Sequence, residues 1–135
     1  MLWALRAMVD SNVFVYVLFS DPEYGERAKA LLKEAEEKGG VTSTLAVSQV
    51  LAHLERRKRF EAIPVFLEYL NGSGIEVLET TWEDFLEGAK LIRERGLSYR
   101  LWDDAVIQAQ MRRAKVEVVI SNDADFDILG AKRVF

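Results

Sequence analysis

Short apolar or β-branched runs alternate along this chain with longer segments whose apolar residues recur every three or four positions. Residues 7–10 read as a buried strand ending at Asp10, and 12–19 as a turn or two of nearly all-apolar helix. SDPE is a helix start, with Ser20 or Asp21 as cap and Pro22 in the first turn. The helix then spans about 23–38, carries a stripe of Ala28, Leu31, Leu32 and Ala35, and stops at Gly39-Gly40. A short strand at 41–43 precedes a helix over 45–57 that buries Val47, Val50, Leu51 and Leu54. The next helix, 60–70, carries Ile63, Phe66, Leu67 and Leu70, tolerates Pro64 near its start and breaks at NGSG. Residues 75–78 form a third strand. A helix capped by Thr80 or Thr81 then runs to about Arg95, with Phe85, Ala89 and Ile92 inward and Gly96 ending it. The remaining elements are a helix over 102–114, a strand over 116–120 and a last strand at 134–135. Strands alternating with helices through short connections predict an α/β fold, a sandwich around a parallel sheet, in one domain over 1–135.

Composition adds exclusions. At 135 residues, half of them hydrophobic and 30% charged, the chain has the makings of one real core. No apolar run reaches a membrane span, and MLWALRAMV reads as a first strand, with a helical lead-in, rather than a signal peptide. The lack of cysteine excludes disulfides, thiolate metal sites and cysteine nucleophiles, and suits the cytoplasm. With a single histidine, His53, a zinc site is disfavoured, and the residue is expected to pack at the surface. The net charge of −4 opposes broad coating by nucleic acid but leaves room for local basic patches. Arg56, Arg57, Lys58 and Arg59 form one patch and Arg112, Arg113 and Lys115 another; either can meet phosphates or simply offset a helix dipole. Trp3, Trp82, Trp102, Tyr24, Tyr69 and Phe85 are scattered, as core or interface residues are, without the clustering of a base-stacking platform.

The candidate chemistry lies in carboxylates placed where strands hand over to helices. Asp10 follows an apolar run, so its charge sits at the mouth of a core and needs a metal, amides or hydroxyls to compensate it; Ser11 and Asn12 can supply such support. Asp103 and Asp104 open a helix, about 100° apart, so one of them faces the sheet edge. Spacing alone leaves that choice open, and Asp104 is favoured because it precedes the core-facing Ala105. Asp123 and Asp125 follow VEVVIS in a tight polar turn locked by Phe126; Asp123 is close enough to Ile120 to stay at the sheet edge, and Asp125 is the more structural of the two. The carboxyl ends of parallel strands converge, so Asp10, Asp104 and Asp123, with Asp125, can share one divalent ion. Mg2+ or Mn2+ fits hard oxygen ligands and could activate water against a phosphodiester. No nucleotide-cofactor loop or nucleophile-elbow motif is present.

Four segments in order, VDSNVF (9–14), TSTLAVSQVLAHLER (42–56), LSYRLWDDAVIQAQ (97–110) and VISNDADF (119–126), resemble the PIN domain family, in the small prokaryotic form found as the toxin of VapBC toxin–antitoxin pairs. The resemblance implies a PIN-like three-layer sandwich with a central parallel sheet of about five strands. It also implies metal-dependent endoribonuclease activity on RNA, a homodimer and a small antitoxin protein as partner. It matches the family's acids to Asp10, Asp104 and Asp123, with Asp125 as the neighbouring late acid. The segment that normally carries a glutamate holds Gln49, which can coordinate through its carbonyl oxygen but adds no charge. Asp103 is a possible compensator; Glu55, about 240° around the helix from Gln49, is a poor one. The alternative reading is a catalytically weakened PIN-like module that binds RNA or protein.

Overall fold

The computed structural model describes residues 6–135; the helical lead-in and Trp3 lie outside the described residues. Five strands, β1 (Ala7–Val9), β2 (Val41–Ser43), β3 (Glu76–Leu78), β4 (Val118–Ile120) and β5 (Lys132–Val134), pair in the order β3-β2-β1-β4-β5, all parallel. Parallel strands need crossovers, and among the described residues seven helices supply them: α1 (Ser11–Leu18), α2 (Gly25–Glu37), α3 (Thr44–Arg56), α4 (Ala62–Gly72), α5 (Trp82–Arg95), α6 (Trp102–Arg113) and α7 (Asp125–Ile128). β1 and β4 are central neighbours, and the winding reverses between them.

The pleat of β1 divides the interior. Ala7 and Val9 pack with Val13, Phe14, Leu31, Val50 and Phe66 on one face, while Met8 packs with Val41, Ile92, Ile107, Val119 and Phe126 on the other. Three layers result. On α3, Ala46, Val50 and Leu54 are buried at four-residue spacing, and Val47 and Leu51 are only partly covered. On α4, Phe66 and Leu70 are buried, but Leu67 is 40% exposed, so that helix is less enclosed than its sequence pattern suggests.

Local chemistry sets the element ends. Asp10 terminates β1 and caps α1 by accepting from the Ser11 N–H, which makes it a cap rather than a strand residue. Asp21 accepts from the amides of Glu23 and Tyr24, forming a turn that delays α2 to Gly25. Thr81 and Asp84 exchange a reciprocal capping box at the start of α5, and Gly96, at φ 62°, closes that helix in the left-handed region. A Cβ at Gly88 would stand 3.0 Å from the Val106 Cγ2 and 3.1 Å from its Cα, so glycine permits the close crossing of α5 on α6. The last strand begins earlier than the apolar Val134-Phe135 suggests, because Lys132 and Arg133 also pair with β4. The turn expected after β4 contains α7, whose first residue is Asp125.

Candidate metal centre

Register brings the first carboxylate to its partners. Val9 pairs with Ile120, and the Asp10 N–H donates to the Ile120 carbonyl at 3.0 Å, so Asp10 lies beside Ser121. The Ser121 hydroxyl donates to Asp10 Oδ2 at 2.7 Å, and the Asn12 amide donates to the same oxygen at 3.2 Å and to Ser121 Oγ at 3.0 Å. Asp10 Oδ1 accepts from the Ser11 N–H at 2.8 Å, and Asn12 Oδ1 accepts from the Asn122 N–H at 3.1 Å. Asn12 therefore ties the start of α1 to the loop after β4. Burial pushes the Asp10 carboxyl up to about 6, with the charge of Asp123 adding to it, despite the opposing hydrogen bonds from Ser121 and Ser11.

Asp104, Asp123 and Asp125 each offer a carboxylate oxygen, and these oxygens lie within 4.8 Å of one another. Asp104 comes from the first turn of α6. The other two come from the loop after β4, where Ser121 Oγ accepts from the Asp123 N–H at 3.0 Å and Asp123 Oδ1 accepts from the Asp125 N–H at 2.9 Å. The Ser121 hydroxyl thus orders both Asp10 and the turn bearing Asp123. Burial, the charges of Asp10 and Asp123, a hydrogen bond shared with Asp123, and the charge of Asp125 push the Asp104 carboxyl up to about 8. Crowded hard oxygens with excess negative charge are a donor set suited to a divalent cation. Asp10 is near enough to repel Asp104 but does not belong to the close trio.

The other candidates sit at different distances from this centre. Asp103 is exposed, and its Oδ2 accepts from Gln49 Nε2 at 3.1 Å, so position 49 of α3 faces the start of α6. His53 meets the Phe19 ring edge-on at 5.3 Å, a packing role; burial and then Arg56 and Arg57 hold its pKa below the ordinary value. Arg59 lies over the same Phe19 ring at 5.0 Å, at the end of α1 opposite Asp10. The cluster Arg56, Arg57, Lys58 and Arg59 therefore stands roughly 12 Å along α1 from the capped end that carries the acids. Folding also gathers aromatics that are scattered in sequence: Phe85 stacks on Trp102 at 5.6 Å and meets Trp82 at 6.5 Å, with Trp82 69% exposed.

Sequence reasoning passed over two residues here. Ser121 carried the signal of a small polar residue directly after a buried strand, but its partner depended on β1–β4 register. Arg100, in a short 3-10 turn over Tyr99–Leu101, pairs with Asp125 at 3.5 Å between Nη1 and Oδ2. Its nearness in sequence to Asp103 and Asp104 was the available hint.

The family model described as PIN domain matches residues 7–132. Among solved structures, the chain is similar to Mycobacterium tuberculosis VapC20, a sarcin–ricin-loop-cleaving toxin, with TM-score 0.81, 20% identity and coverage of 95% of this chain and 98% of that one. It is also similar to a toxin–antitoxin complex from Klebsiella pneumoniae, with TM-score 0.70, 21% identity and 96% of each chain covered. A third likeness is VapBC2 from Rickettsia felis bound to a DNA fragment from its promoter, with TM-score 0.71, 14% identity and coverage of 96% and 98%. No curated protein matches at a significant level.

Proposed function

The chain belongs to the PIN domain family, and on that premise we propose that it is a metal-dependent endoribonuclease, the toxin of a VapBC-type toxin–antitoxin pair. The observation that carries the proposal is the trio of carboxylate oxygens within 4.8 Å at the carboxyl edge of the parallel sheet. That edge, where the winding reverses, is where α/β folds place their ligands.

In this reading Asp104, Asp123 and Asp125 hold Mg2+ or Mn2+. Asp10, fixed by Ser11, Asn12 and Ser121, completes the negative field and directs a water of the site. The bound ion supplies an acidified water and charge stabilisation on the phosphoryl oxygens. Asp103 and Gln49 support the start of α6 through their hydrogen bond. The experiment is cleavage of single-stranded RNA with Mg2+ or Mn2+ by the parent, Asp10→Asn and Asp104→Asn. Cleavage falling about 100-fold in both variants, with unaltered circular dichroism, supports the assignment. Parental rates in either variant would remove that residue from the site.

A second reading, a non-catalytic binding module, rests on Gln49, a neutral amide where the family carries an acid. Calorimetry with Mn2+ separates the two readings: metal-independent RNA binding without turnover supports the module.

Two apolar surfaces support the proposed partners. A groove of about 210 Å³ between α1, α2 and α4, lined by Phe14, Val17, Leu18, Leu32, Val65, Phe66 and Tyr69, suits an apolar helix of a small antitoxin. Exposed Trp82 and Leu86, beside Phe85 and Trp102, suit a homodimer contact. Arg56, Arg57, Lys58 and Arg59 would touch only an extended RNA, given their distance from the acids. Among the described residues no helix is long and apolar enough to cross a membrane; action in the cytoplasm is part of the proposal.

A further inference from the structure

Arg100 is a cation paired with the candidate metal centre. Among the described residues it forms the ion pair made with the trio Asp104, Asp123 and Asp125, at 3.5 Å from Asp125 Oδ2. Other arginines near it are committed elsewhere: Arg95 donates to the Ile128 carbonyl at 3.3 Å. Arg133 is bidentate on Asp127 at 3.1 and 3.2 Å and also donates to the Ser121 carbonyl at 3.3 Å. Arg113, at the other end of α6, is bidentate on Asp84 at 2.9 and 3.0 Å.

The backbone beneath Arg100 is fixed while its side chain, apart from the pair with Asp125, lies in solvent. The Ser98 hydroxyl accepts from the Arg100 N–H at 3.2 Å, and Leu101 anchors the turn in the core. Beyond that anchor the Arg100 side chain is 67% exposed. A guanidinium on such a tether can leave one anion for another nearby, and its planar fork matches phosphate oxygens.

We propose that Arg100 is a built-in counter-ion that holds Asp125 until a divalent cation takes that carboxylate, and that the released guanidinium then grips an RNA phosphate at the cleavage site. Charge dictates this order. A guanidinium and a divalent ion on one carboxylate repel each other, so metal entry displaces the arginine, and the nearest remaining anion is the substrate backbone. Metal binding and RNA binding are thereby coupled through one side chain, which makes Arg100 a substrate-gripping residue of the nuclease proposed above. The phosphate half of this inference rests on that reading, whereas the counter-ion half needs only the geometry of Asp125.

The test compares the parent, Arg100→Ala and Arg100→Lys. Mn2+ affinity is measured by calorimetry without RNA. The affinity of a fluorescent single-stranded RNA oligonucleotide is measured across a salt series with Ca2+ in place of Mn2+. Loss of an exposed pair predicts Mn2+ binding about two- to fivefold tighter in Arg100→Ala. Loss of one phosphate contact predicts a salt slope shallower by about 0.7. Arg100→Lys, which keeps the charge, stays near the parent in both. Mn2+ affinity that is unchanged or weaker in Arg100→Ala overturns the counter-ion role, and an unchanged salt slope overturns the phosphate role. Tighter Mn2+ binding in Arg100→Ala, alongside a parent that never cleaves RNA, would uphold the counter-ion and refute the nuclease.

Discussion

Asp10 and Asp84 are withdrawn from solvent to the same degree, 3% and 2% exposed, and the fold treats them in opposite ways. Burial tends to raise the Asp84 carboxyl, but hydrogen bonds from Arg113 and Thr81, with the charge of Arg113, overcome it and hold the group below its ordinary value. Asp10 receives hydroxyl and amide donors but no cation, faces the charge of Asp123, and is pushed up to about 6. Asp104, beside it, is pushed further, to about 8. The pair at the α5–α6 crossing is compensated within the chain, as a structural carboxylate must be. At the sheet edge only Asp125 has a cationic partner among the described residues, Arg100; Asp10, Asp104 and Asp123 have none, and their crowding costs stability and leaves affinity for a cation. Compensation, together with the greater depth of Asp10, separates the structural acid from the candidate ligand in this molecule.

The largest consequence concerns the uncompensated end. Asp104→Asn removes a donor from the trio, and Mn2+ affinity measured by calorimetry should fall about 100-fold; near-parental affinity would place the ion elsewhere. Next comes the compensated end. Arg113→Ala strands the buried Asp84, and because the Arg113 side chain is 45% exposed the loss should be about 1–2 kcal/mol, a drop in Tm of roughly 5 °C. Thermal unfolding with no change in Tm would show that Thr81 alone satisfies Asp84.

The two ends should also respond oppositely to pH. In the metal-free protein Asp104 keeps its proton up to about pH 8, whereas its ordinary value is 3.8, so between these limits the folded state binds more protons than the unfolded one. Stability therefore declines as pH rises through that window, with Asp10 contributing up to about pH 6. Asp84, held below its ordinary value, stabilises above that value and loses its contribution as pH falls through its folded value. Melting curves from pH 5 to 8.5 without metal should show Tm falling with pH in the parent, a flatter profile in Asp104→Asn, and little change of slope in Arg113→Ala, whose loss is full across this range and shrinks only at acid pH. An equal slope in the parent and Asp104→Asn would contradict the repulsion inferred at the trio.

The smallest effect belongs to position 49. Gln49→Glu sets a carboxylate against Asp103, where an amide now donates at 3.1 Å. The metal-free protein should lose about 0.5–1 kcal/mol, read from chemical denaturation. Mn2+ affinity should rise about threefold through the added charge. An unchanged affinity with the stability loss intact would confine residue 49 to supporting α6.

Much of the architecture was legible in local pattern. The burial of Val50 and Leu54 on α3, a start of α5 at Thr80 or Thr81 and its stop at Gly96 are decided by neighbours a turn or less away, whereas the cap at Ser43 and the burial of Ala46 were not read. The acids at strand ends and helix starts could be nominated for the same reason. What the chain pattern left open was which groups meet. The Ser121 hydroxyl reaches Asp10 across 111 positions, a contact set by the parallel register of β1 on β4. Arg100 turns toward Asp125, Gln49 toward Asp103, and Arg59 lies over Phe19 at the far end of α1. Periodicity and capping are short-range energies written into adjacent residues; charge compensation is a property of three-dimensional neighbours, and only packing the strands and helices together decided which carboxylates were left without a cation.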